Sequence, residues 1–181
     1  MRRPSLSSIV WLAGACWAAL WPPGFVLAAN ADADGSALPQ VYAARVSRVF
    51  DGDTLWVKPL EGGRYRKLRL DGIDAPEICQ AGGTASRDAL ARRVLNQVVA
   101  VRVRQHDDYG RGLAKLTHQD DDVAAWMVAQ GQAWSYRWRR SLGPFQDEEA
   151  SARRGRKGVF ADAAAELPRE FRQRHGPCPL P

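Results

Sequence analysis

Between Val41 and Leu70 three runs rich in β-branched and aromatic residues follow one another, separated only by short turns. Residues 41–50, 54–58 and 64–70 read as strands, and turns this short favour an antiparallel meander. The third run places Tyr65, Lys67 and Arg69 on one face and Arg66, Leu68 and Leu70 on the other. That alternation sets one face toward a core. Glu61-Gly62-Gly63 supplies the turn before it.

The pattern then changes period. Ala85, Ala89, Leu90, Val94 and Val98 recur at three- and four-residue steps, which predicts a helix over 84–98 with Thr84 as its N-cap. Residues 99–104 and 113–117 read as a fourth and a fifth strand around a turn at 107–112. Asp120, Asp121 and Asp122 precede a helix over 123–130 that Gly131 ends. Three adjacent acids invite a metal reading, but their place before a helix fits capping and the helix dipole better. A third helix spans 144–157 and stops at Gly158, and residues 161–181 show little periodicity. Five short strands with helices after the third and the fifth predict an α+β fold. The expected form is a five-stranded OB-fold β-barrel with three packed α-helices.

The N-terminal part follows different rules. Arg2 and Arg3 precede an apolar, uncharged run over 9–21, and small residues follow at Ala28, Ala29 and Ala31. This is the pattern of a signal peptide over 1–28. The alternative is a retained anchor, against which Pro22 and Pro23 break a run already short for a membrane span. Residues 29–40 read as a flexible lead-in to a domain over 41–160, followed by a C-terminal tail over 161–181. The expectation is an exported protein, periplasmic or secreted, without stable membrane association after cleavage.

Removing residues 1–28 deletes two of the 26 basic residues and none of the 20 acids, leaving a net charge of +4. A mildly basic surface suits a polyanion, although a solvated charged surface gives the same count. Cys79 and Cys178 remain after maturation. In an oxidising compartment an even pair suggests a disulfide tying the tail to the segment after Glu77; the alternative is two unrelated thiols.

Four segments carry the chemistry. Asp51-Gly52-Asp53-Thr54 holds two acids two apart, which face the same way on an extended strand. Asp-Gly is also ordinary turn chemistry. Asp74 and Glu77 bracket Ala75-Pro76, where proline stiffens the relation between the carboxylates. These are oxygen ligands suited to a hard cation such as Ca²⁺ rather than Zn²⁺. His106, His118 and His175 have no zinc-type spacing and read as surface or turn residues. Arg69 and Arg111 are candidate phosphate clamps, since a guanidinium fork matches two phosphate oxygens. Gly110 permits a tight turn that aims Arg111 back over the barrel. Gly158-Val159-Phe160 closes the last helix.

DGDT, RLDGIDAPE, DDYGR and GVF, in this order from about Val41 to Phe160, resemble the staphylococcal nuclease (thermonuclease) family. The resemblance implies Ca²⁺-dependent hydrolysis of DNA and RNA with cleavage of the 5′ P–O bond, leaving 3′-phosphate ends. It implies Asp53 and Asp74 as direct Ca²⁺ ligands, the Ala75 backbone carbonyl as another, and Asp51 as an acid acting through water. It implies Glu77 as general base, Arg69 and Arg111 on the phosphate, and Tyr109 beside the nucleotide. Alanine at 75 stands where the family usually has threonine. Asp108 stands where the best-known member carries lysine, and the loop over 78–83 is shorter than in that member. After Gly131 the aromatics do not align cleanly, so Tyr136, Trp134 or Trp138 could supply a stacking surface; Tyr136 is carried as the substrate-side candidate. The expected partner is DNA or RNA, single-stranded or locally melted, bound by a monomer with no protein partner. The alternative function is a non-catalytic OB module that binds single-stranded nucleic acid.

Overall fold

The computed structural model describes residues 40–176 and Cys178. The predicted signal peptide and nearly all of the lead-in lie outside the described residues.

The meander forms as expected. Strand β1 (Gln40–Val49) turns its Tyr42, Ala44 and Val46 inward and pairs antiparallel with β2 (Thr54–Pro59), which pairs antiparallel with β3 (Arg66–Leu70). An irregularity between Val46 and Arg48 shifts the β1 register, which helps a short strand bend around a barrel. A two-residue strand, β4 (Ile73–Asp74), follows directly. Helix α1 (Gly83–Val94) comes next, then β5 (Val98–His106) and β6 (Gly112–His118). β5 pairs antiparallel with both β1 and β6, and β6 pairs in parallel with β3. This last pairing closes the five-stranded OB-type barrel, since β1, β2, β3, β6 and β5 each then have two neighbours within it.

Inside the barrel, period-two alternation buries Leu55, Val57, Leu68, Leu70, Val99, Val101 and Leu116. Each such side chain contributes about 1.5–3 kcal/mol by leaving water. Ala89, Leu90 and Val94 of α1 extend this core, as do Val123, Ala124, Met127 and Val128 of α2 (Val123–Ala129). The short strand β7 (Asp121–Asp122) leads into α2, whose N-cap Asp122 accepts from the Ala124 and Ala125 backbone N–H groups. Asp121 pairs with Arg93. The triple acid is therefore cap and surface chemistry.

Beyond α2, β8 (Trp134–Ser135) pairs antiparallel with β4, placing Trp134 opposite Asp74. Helix α3 (Gln146–Arg154) and a 3-10 turn over Gly158–Ala161 follow. Trp134, Ala152 and Phe160 make a second, smaller core, with Trp134 and Phe160 edge to face at 5.6 Å. Gly158-Val159-Phe160 thus closes the domain by packing.

Several expectations need correction. α1 ends at Val94 instead of 98, because Asn96 takes a left-handed conformation and its N–H donates to the Val46 carbonyl. Its N-cap is Gly82, not Thr84, without a side-chain bond. α3 is shorter than the expected 144–157. The described residues hold four α-helices, not three, because the tail forms α4 (Pro168–His175). His118 is buried on β6, not a surface or turn residue.

Candidate active site

The turn between β1 and β2 is stitched by Asp51, whose Oδ1 accepts from the backbone N–H groups of Asp53 (2.9 Å) and Thr54 (2.6 Å). Asp51 therefore points back onto its own turn, unlike the extended-strand expectation. Gly52 is required by close approach. A Cβ there would lie 1.8 Å from Ser86 Oγ, which is fixed by its own bond to the Gln132 carbonyl.

This turn delivers Asp53 into the protein at 3% exposure. Its Oδ1 accepts from the Thr54 hydroxyl and its Oδ2 from the Ala75 N–H. Asp74 arrives from β4, held in place by the β8 pairing. Arg69 comes from β3, and its Nη2 lies 3.0 Å from Asp53 Oδ2 and 2.8 Å from Asp74 Oδ1. Two carboxylates from separate elements thus converge on one cationic nitrogen.

Glu77 joins them through Arg172 of α4, a residue that the sequence analysis missed. Arg172 Nη1 donates to Glu77 Oε1 (2.7 Å) and Asp74 Oδ1 (3.1 Å), and Nη2 donates to Asp74 Oδ2 (3.1 Å). The Glu77 segment is also braced by Gln80, whose Oε1 accepts from the Glu77 N–H and whose Nε2 donates to the Glu166 carbonyl. Cys79 and Cys178 form a disulfide that anchors the tail beside this segment. The tail helix had local signals: proline in its first turn, Arg172, Arg174 and His175 in its last, and Gly176 after it.

Charge explains how these groups titrate. Burial, then the neighbouring charge of Asp53, pushes the Asp51 carboxyl up to about 7 against the hydrogen bonds that favour its anion. Burial also raises Asp74, and its bonds to Arg172 and Arg69 do not fully offset this. Burial alone would lower Arg69, but Asp53, Asp74 and Asp51 raise it further, so it stays charged. Asp51, Asp53, Asp74 and Glu77 set four carboxyl groups against the guanidiniums of Arg69 and Arg172. Carboxyls outnumber guanidiniums, and the raised Asp51 and Asp74 show that the cluster holds less positive charge than its acids would need to ionise freely; a divalent cation would supply it. Oxygen donors that already converge on a positive point suit a hard ion. Among the described residues no group of three or more His, Cys, Asp or Glu side chains forms a finished metal cage. The two arginines stand among the carboxylates, so an ion must displace guanidinium contacts to reach them.

Arg111 and Tyr109 lie on a neighbouring unit. Gly110 adopts φ +73° and turns the chain, consistent with the expected tight turn. Asp107 accepts from the Tyr109 and Arg111 N–H groups, and its Oδ2 holds Arg111 Nε at 2.7 Å. Tyr109 is 85% exposed. Because Leu68 pairs with Gly112 and Arg69 with Leu113, this turn leaves the barrel beside the Arg69 strand.

The aromatics after Gly131 now separate. Trp134 is buried against Phe160, and Trp138 is exposed. Tyr136 lines a cleft of about 240 Å³ with Asp74, Arg137 and Gln173. Glu149 of α3, also missed from sequence, is 3% exposed and holds β8. It accepts from the Ser135 N–H (2.9 Å), Arg137 (2.7 Å) and Arg153 (2.8 Å). Through the β4–β8 pairing it fixes the strand that carries Asp74.

Sequence similarity to known proteins supplies the family. The model of the family described as Staphylococcal nuclease homologue matches residues 67–162, just over half of the chain. A micrococcal nuclease of Shigella flexneri is 35% identical, over 73% of this chain and 81% of that protein. Protein ParB of Escherichia coli is 38% identical over 71% and 77%, respectively. An uncharacterized endonuclease of Haemophilus influenzae is 33% identical over 71% and 72%. The chain belongs to the staphylococcal nuclease homologue family, as a nuclease whose substrate is nucleic acid.

Proposed function

We propose that the protein is a Ca²⁺-dependent phosphodiesterase that hydrolyses DNA and RNA to products with 3′-phosphate ends. The observation that carries this reading is the convergence of Asp53 and Asp74 on one cationic point, within a cluster that holds more carboxyl groups than guanidiniums. Asp53, Asp74 and the Ala75 carbonyl would hold the ion, with Asp51 acting through water. When bound, the ion supplies Lewis-acid charge to a phosphate oxygen.

The rest of the chemistry belongs to the chain. Arg69 and Arg111 are each held on a carboxylate, and both can turn a guanidinium fork to phosphate oxygens as negative charge builds on them. Glu77 accepts a proton from the attacking water. The water oxygen bonds to phosphorus while the 5′ P–O bond breaks, and the leaving oxygen takes a proton from solvent. Tyr109 and Tyr136 offer faces on which bases stack without sequence selectivity, which favours single-stranded or locally melted substrate. The enzyme acts as an exported monomer, periplasmic or secreted. The Cys79–Cys178 disulfide supports an oxidising compartment.

The test is digestion of single-stranded DNA, duplex DNA and RNA with CaCl₂ or with EDTA, followed by analysis of the product ends. Cleavage in Ca²⁺ alone, with phosphatase-sensitive 3′ ends, is expected. Equal cleavage under both conditions would remove the metal role. Binding without cleavage would favour the non-catalytic module.

A further inference from the structure

We propose that Arg172 is a further active-site residue, a built-in cation that competes with the divalent ion for Asp74 and Glu77 and so sets the affinity for metal. The proposal rests on the divalent-ion reading above. Arg172 bonds both Asp74 oxygens and one Glu77 oxygen. With Arg69 on Asp74 Oδ1 as well, neither Asp74 oxygen is left without a guanidinium. Guanidiniums thus take three of the roughly four lone-pair sites of Asp74, and Arg172 takes two of those three.

The two arginines differ in how firmly they are held. Arg69 sits on a barrel strand paired on both sides. Arg172 sits on an eight-residue helix whose only buried residue is Pro168. That helix rests beside a cavity of about 520 Å³ lined by Gly82, Ala85, Trp134, Val159, Ala165 and Phe171. Apolar anchoring of the tail is confined to a few residues, with Ala165 and Leu167 packed against the Trp134–Phe160 core. Its other ties are polar and covalent: Arg172 itself, the Gln80–Glu166 bond and the Cys79–Cys178 disulfide. The disulfide keeps the guanidinium at high effective concentration over the carboxylates without locking it there. An ion held by Asp74 and Glu77 would compete with Arg172 for these oxygens, and cleaving the disulfide would tilt that competition toward the ion. Arg172 lies outside the span matched by the family model.

Calorimetric titration of CaCl₂ into the metal-free full chain tests this, with R172Q, R172K and the double variant C79S/C178S alongside. R172Q is expected to bind Ca²⁺ at least about tenfold more tightly, because it removes a competing charge a few ångströms from the ion. R172K should lie near the parent, and C79S/C178S between the parent and R172Q. Hydrogen exchange of the parent supplies a second readout: amides over 168–175 should exchange faster in saturating Ca²⁺. Equal or weaker Ca²⁺ binding by R172Q would overturn the competition while leaving the metal reading intact. Unchanged exchange over 168–175 would overturn it as well. No Ca²⁺ binding by any protein would overturn both readings.

Discussion

Arg69 and Arg111 make the same kind of ion pair in opposite settings. Their side chains are similarly exposed, at 17% and 20%. Arg69 is a crosslink between elements, joining the Asp53 turn, which leads into the neighbouring strand β2, to β4. Arg111 is a local latch on Asp107, four residues away in the same turn. The partner acids respond in opposite directions. Burial dominates at Asp74, which is raised despite two arginines. Burial also opposes ionisation at Asp107, but there the bonds from the Arg111 backbone and guanidinium win, and the carboxyl falls below its usual range. The difference lies first in burial, which outweighs the arginines at Asp74, and then in like charge, since Asp74 shares its pocket with Asp53 and the charged partner of Asp107 is Arg111. The same pair chemistry thus makes a centre that needs more positive charge and a latch that is satisfied.

The largest expected effect tests the crosslink. Arg69→Ala leaves Asp53 and Asp74 buried around a missing cation, so stability should fall by about 3–5 kcal/mol. Turnover should fall by about 10³-fold or more. Denaturant unfolding and single-turnover cleavage read the two effects, and a variant that loses only activity would break the contrast with Arg111. Arg111→Ala should lose about 10²–10³-fold in kcat, with stability within about 1 kcal/mol of the parent. A large drop in its melting temperature would show that the latch is also structural.

Glu149→Gln sharpens the crosslink side, since it leaves the reacting groups untouched and loosens β8. It should cost about 1.5–3 kcal/mol in thermal unfolding, the range for hydrogen bonds to a charged group. An unchanged melting temperature would show that β4 does not depend on this anchor. Tyr136→Ala should weaken single-stranded substrate binding by about 1–3 kcal/mol, seen as a raised KM with kcat nearly kept. No change would return the stacking role to Tyr109 or Trp138.

The smallest effect is in the latch's titration. Because the Asp107 carboxyl lies below its ordinary value of 3.8, the pair's contribution is complete above that value. It is lost as pH falls through the lowered one. Carboxyl NMR should give a midpoint below 3.8 for Asp107, rising toward it in Arg111→Ala. A midpoint above it in the parent would remove the distinction between the two pairs.

Much of the barrel was legible because strand alternation is local. Leu68 and Leu70 face inward wherever β3 is placed, since successive side chains point to opposite faces. Asp51, Asp53, Asp74 and Arg69 could be named from short motifs because turn chemistry and strand register are written within a few residues. Glu149 and Arg172 could not. Both look like ordinary members of charged helices, and each acts on a residue far away in sequence: Glu149 on Ser135 and Arg137, Arg172 on Asp74 and Glu77. The aromatic choice was equally closed to sequence, because burial of Trp134 against Phe160 depends on where α3 and the 3-10 turn pack.

By itself, then, the chain's periodicity pointed to a closed barrel of short strands, and its motifs named Asp51, Asp53, Asp74 and Arg69, which the fold brings together. Both follow from interactions spanning a few residues. Only the tertiary structure decided which cation rests on which carboxylate. Long-range closure set Arg69 between Asp53 and Asp74, and the Cys79–Cys178 bond brought a tail arginine over Asp74 and Glu77. Those pairings are electrostatic choices among many similar charges. Distance and burial in the folded chain select among them, and local sequence carries neither.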